Sequence, residues 1–114
     1  MNRILLVIAG LLGALGVAAS AAGSHGTETN LSTAGTFLLL HAAALVGLGA
    51  WRDNRLATNA GWILAVGVIL FAGDLAMRAR AGTALFPMAA PIGGGAMILG
   101  WLAVAAAGLW RQKP

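Results

Sequence analysis

Residues 61–80, GWILAVGVILFAGDLAMRAR, decide what kind of molecule this chain can be. About 20 apolar residues at a rise of 1.5 Å per residue make a helix of roughly 30 Å, the thickness of a bilayer's hydrocarbon. One acid, Asp74, sits within this run and is the only acidic residue inside any apolar run of the sequence. A carboxylate at such a depth is costly, so it must be paired, protonated or reached by water.

Three more apolar runs surround this one in the sequence, at about 4–22, 34–51 and 88–110. Of the 114 residues 60% are hydrophobic and 9% charged, where a soluble domain carries about 25% charged residues. A water-soluble fold of this size has no means of hiding that much apolar surface. The chain reads as one integral membrane domain, 1–114, an all-α four-helix transmembrane bundle of up-and-down topology with the lipid bilayer as its first partner.

Seven Lys and Arg stand against three acids, but they lie singly at the ends of the runs. That spacing marks topology and gives no basic stripe for nucleic acid. Four crossings put Arg3, Arg52, Arg55, Arg111 and Lys113 on one side and Arg78 with Arg80 on the other. The positive-inside rule then places both termini in the cytoplasm. Trp51, Trp62 and Trp110 are expected at that same boundary, as an aromatic belt. The first run also has the profile of a signal peptide, with Ala18-Ala19-Ser20-Ala21-Ala22 as a small-residue site; its length favours a retained helix.

Turn and cap signals divide the runs. Ser32 or Thr33 is expected to cap the second helix. Pro91 falls in the first turn of the fourth, where a missing N–H costs least. Gly93-Gly94-Gly95 is expected to make that start irregular. It follows no strand and lacks the lysine of a phosphate loop. Small residues, Gly10, Ala14 and Ala18 four apart in the first helix, and Gly93, Ala96 and Gly100 three and four apart in the fourth, offer faces for close helix packing.

Four motifs in order give the chain a family likeness. They are Gly23-Ser24-His25-Gly26, then His41-Ala42-Ala43-Ala44-Leu45, then Gly61-Trp62 with Phe71-Ala72-Gly73, and last Pro91-Ile92-Gly93-Gly94 with Gly100-Trp101. On these the chain resembles the YgdD-like family of small bacterial inner-membrane proteins, a domain of unknown function. The resemblance covers most of the sequence and implies a four-helix inner-membrane protein, with no activity to carry over. Asp74 stands where that family usually has a small polar residue.

The side chains that bear on chemistry are His25, His41, Asp74 and Arg78. In the expected topology His41 lies about eight residues, or 12 Å, below the outer end of its helix, and Asp74 about 9 Å below Arg80 on the same side. One reading is an intramembrane polar cluster acting as a proton relay or a weak metal site. The other is local satisfaction: Asp74 and Arg78 are four apart and suit an ion pair, and His41 bonds a backbone carbonyl or hydroxyl. No His pair has the spacing of a helical metal motif, so no metal or cofactor is assigned. With no Cys and no nucleophile beside a base, catalysis has no residues to rest on. Two roles remain: an accessory subunit packing with itself or a larger membrane complex, or a small oligomeric channel or proton-linked transporter using Asp74, His25 and His41.

Overall fold

The computed structural model describes residues 2–110. Four helices follow in order: α1 (Arg3–Gly23), α2 (Asn30–Ala50), α3 (Arg55–Ala81) and α4 (Ala89–Leu109). Each is long and apolar enough to cross a membrane. Short connections leave consecutive helices antiparallel, which makes an up-and-down four-helix bundle. Arg111 and Lys113, counted above on the side of the termini, lie outside the described residues.

Glycine sets the spacing of the helices. On α1, Gly13 faces Ala42, Gly16 faces Leu38 and Leu39, Ser20 lies against Gly35, and Gly23 lies against the backbone of Ser32. Each step down α1 matches a step up α2, so the two form an antiparallel hairpin in one unbroken register. A Cβ on Gly23 would stand 2.5 Å from the Ser32 nitrogen, so no larger residue fits there without separating the helices. On the other side of the molecule Gly67 of α3 meets Gly93 and Met97 of α4, and Leu64 meets Gly100. Lipid tails are as apolar as leucine, so close approach, rather than expulsion of water, drives such pairing. Leu5, Leu45, Leu64 and Val68 fill the centre and are fully buried.

The helices pack in chain order, α1 on α2, α2 on α3 and α3 on α4. Beyond this, α1 touches α3 near Leu5 and Gly61. Among the described residues α4 approaches the backbone of neither α1 nor α2. The bundle is therefore open along α4, which lies on α3 as an outer rod.

Several local expectations change. α2 begins at Asn30, four residues early, and its amides are capped by neither Ser32 nor Thr33. The Glu28 carboxylate accepts instead from the N–H of Asn30 at 2.6 Å and of Leu31 at 3.3 Å. An acid at a helix N-terminus also complements the macrodipole. α3 begins at Arg55 and not at 61, because Asn54 caps it through Ala57 N–H at 2.9 Å and the segment 55–60 continues the helix. Trp62 accordingly lies two turns inside α3, while Trp51 and Trp110 end α2 and α4. The triple glycine does not disturb α4, which is helical from Ala89 onward. Gly93 is needed for contact with α3, and Gly94 and Gly95 face open space.

The two small-residue faces have different fates. Gly93 and Gly100 are buried against α3 and Ala96 lies partly covered beside Trp62, Ile63 and Val66. On α1 the buried residues are Leu5, Ala9, Leu12 and Gly16, and Gly10, Ala14 and Ala18 are exposed.

Candidate functional site

Asp74 has the least exposed charged side chain of the described residues, with none of its surface open. It occupies the next-to-last turns of α3, where the Phe71-Ala72-Gly73 sequence brings it under the α3–α4 connection. Its Oδ2 accepts from Arg78 Nε at 2.8 Å, one helical turn on, and its Oδ1 accepts from the Leu85 N–H at 3.0 Å. The Arg78 side chain is half exposed and carries its charge outward along the helix. The connection leaves α3 at Gly82, in the left-handed region at φ 74°, and enters α4 at Met88, with φ 72°. Asp74 is thus the hook that holds this loop on the bundle. Replacing it with Leu removes both bonds, whereas Asn keeps an acceptor for Leu85. Trypsin should cut after Arg80 several-fold faster in Asp74→Leu than in the parent, with Asp74→Asn between them. Equal rates in all three would show that the loop is held by other contacts.

His41 lies at the middle of α2, on the face turned toward α3, and is buried. Its Nδ1 is 2.8 Å from the Phe37 carbonyl and its Nε2 is 3.1 Å from Trp101 Nε1. Indole nitrogen only donates, so Nε2 accepts and the ring proton sits on Nδ1, donating to Phe37. The imidazole is neutral in this arrangement. Phe37 stacks near His41 at a centroid distance of 6.0 Å and tilts against Phe71 at 4.7 Å. The His41–Trp101 bond joins α2 to α4, two helices whose backbones do not otherwise meet.

His25 is exposed in the α1–α2 connection. It borders a small hollow of about 100 Å³ with Glu28 and Arg80. The four side chains singled out in the sequence are therefore distributed over three places. Asp74 and Arg78 meet, His41 pairs with Trp101, and His25 stands at the surface; no hydrogen bond links these places. Among the described residues every buried polar side-chain atom has a partner, and no three of His, Cys, Asp and Glu gather as for a metal ion.

Two polar residues went unremarked in the sequence. Trp101 was noted only as part of a motif, although an indole N–H deep in an apolar run needs an acceptor, and His41 is the only ring acceptor at mid-helix. Asn54 is buried, and its amide donates to the Ala107 carbonyl of α4 at 3.0 Å. Asn directly before a helix-forming stretch is a cap signal that locates the α3 start.

Comparison with known proteins gives the same outline and no activity. A UPF0382 membrane protein of Staphylococcus epidermidis is 29% identical over 117 residues, covering 94% of this chain and 96% of its own. The UPF0382 membrane protein YwdK of Bacillus subtilis is 24% identical, covering 92% and 95%. The UPF0382 inner membrane protein YgdD of Escherichia coli K12 is 28% identical, covering 88% and 85%. No solved structure matches. The model of DUF423, described as a protein of unknown function, matches residues 12–94, the span that runs from the α1–α2 hairpin to the glycines of α4. This membrane protein, with its four apolar helices, belongs to the DUF423 family.

Proposed function

We propose that the protein is a packing subunit of the bacterial inner membrane, assembling with copies of itself or with a larger membrane complex, with both termini in the cytoplasm. The observation that carries this reading is on α1. That helix meets α2 through one row of small residues and leaves a second, Gly10, Ala14 and Ala18, uncovered; a Cβ on Gly10 would meet nothing within 4 Å. Small residues in a lipid-facing row allow another helix to approach closely. Transport through Asp74, His25 and His41 calls for a wet path joining them. The closed bonding of Asp74 and of His41 favours the packing role instead.

Extraction in a mild detergent, followed by native mass spectrometry, tests the reading. A fixed-stoichiometry oligomer or complex is expected, lost in Gly10→Leu and Ala14→Leu while the helical content stays unchanged. A monomer with nothing bound, in the parent protein, would end the proposal. Orientation has its own test, helped by the lack of native cysteine. A membrane-impermeant maleimide should label Thr27→Cys in spheroplasts and Arg52→Cys only after lysis. The reverse pattern would invert the topology.

A further inference from the structure

Between α2 and α4, over α3, lies a groove of about 330 Å³ lined by Phe37, His41, Phe71, Gly94, Met97 and Trp101, together with one neighbouring aliphatic residue. It sits at mid-helix, because His41 and Trp101 are each near the middle of their helices. No charged side chain lines it. Its polar atoms of note form one donor–acceptor pair, the Trp101 N–H and the His41 Nε2 at 3.1 Å. If this bond served only to hold two helices together, α2 and α4 would be expected to close on each other. They stay apart, and the gap between them is walled by aromatic rings.

We propose that this groove binds a phenol-type ring carrying an alkyl tail, with its hydroxyl inserted between Trp101 and His41. A hydroxyl is the group that fits, since it accepts from the indole N–H and donates to the imidazole Nε2 in one step. Neither buried polar atom then loses its bond, and a carbonyl or an ether would leave Nε2 without a donor. Trp101 is 44% exposed, which leaves its ring room to turn and admit the group. Phe37 and Phe71, with centroids 4.7 Å apart, present an edge-and-face surface for an aromatic ring. Met97 adapts to its outline. At Gly94 the missing side chain keeps the groove open. The tail runs out into the surrounding lipid.

The test uses 4-hexylphenol, hexylbenzene and 4-hexylcyclohexanol with the full chain in nanodiscs, followed by the NMR signal of the Trp101 indole N–H, assigned by its loss in Trp101→Phe. Saturable shifts are expected with 4-hexylphenol, at an affinity about tenfold above that for the other two, one hydrogen bond or one ring contact apart. His41→Phe should remove the preference for the hydroxyl. Gly94→Leu, which adds bulk where there is open space and leaves the His41–Trp101 pair in place, should abolish binding of all three. Equal binding of 4-hexylphenol and hexylbenzene, equal binding of 4-hexylphenol and 4-hexylcyclohexanol, no saturable shift with 4-hexylphenol, or undiminished binding in Gly94→Leu would each overturn the proposal.

Discussion

Gly93→Ala should cost about 3 kcal/mol of unfolding free energy, near the top of the range for overpacking a well-fitted contact, while Gly94→Ala and Gly95→Ala should each gain about 0.5–1 kcal/mol. The three glycines are consecutive and their surroundings are opposite. A Cβ on Gly93 would stand 2.7 Å from the Phe71 nitrogen and 2.8 Å from the Gly67 carbonyl oxygen. Both are backbone atoms of α3, so no rotamer relieves the clash and the two helices must separate. Separation then forfeits the packing of Gly67 on Met97 and of Gly100 on Leu64, which lie along the same line of contact. At Gly94 and Gly95 the added methyl meets nothing within 4 Å, and alanine only restricts the unfolded chain. Unfolding equilibria in mixed micelles, measured for all three variants, give the signs directly. A loss shared by all three would mean that the glycines serve helix irregularity and not contact with α3.

That contrast shows how far the sequence can be read. Four apolar runs with loops of turn residues, and Lys and Arg only at their ends, dictate the helix count and the alternating topology, because a bilayer admits few other solutions. Which face of a helix meets which neighbour is not written in the same way. In α1 two rows of small residues, Gly10-Ala14-Ala18 and Ala9-Gly13-Gly16, are both smooth enough to pack. The choice between them depends on the register that α2 presents through Gly35 and Ala42. Membrane helices also lack the polar outer face that reveals the inner one in a soluble protein. The polar side chains are legible only one by one. Asp74 with Arg78 is a helical i, i+4 pair, visible in any one-dimensional reading. The Leu85 N–H, 11 residues away, and the Trp101 indole, 60 residues from His41, depend on the fold itself.

Asn54→Ala should destabilise the bundle by about 2 kcal/mol, one cap and one tertiary hydrogen bond together. The residue is buried where the α2–α3 turn reaches α4. Its Oδ1 starts α3 at Ala57, and its Nδ2 meets the Ala107 carbonyl, which also takes the Trp110 N–H at 3.2 Å. Loss of the amide therefore frees the outer rod, α4, from the turn without orphaning its carbonyl. Asn54→Asp separates the two functions. The carboxylate still caps α3, but it opposes the Ala107 oxygen with a second acceptor, so at neutral pH this variant should be less stable than Asn54→Ala. Protonation restores a donor to Ala107, which means that the folded state holds the proton more tightly than the unfolded chain, where an aspartate titrates at about 3.9. A group of that kind supports the fold below its unfolded pKa and withdraws support as pH rises through the higher folded value. The Asn54→Asp variant should accordingly recover stability relative to Asn54→Ala as pH falls from 7 toward 4, while Asn54→Ala itself shows no such recovery. A flat difference between the two across that range would show that Asn54 caps α3 and does not fasten α4.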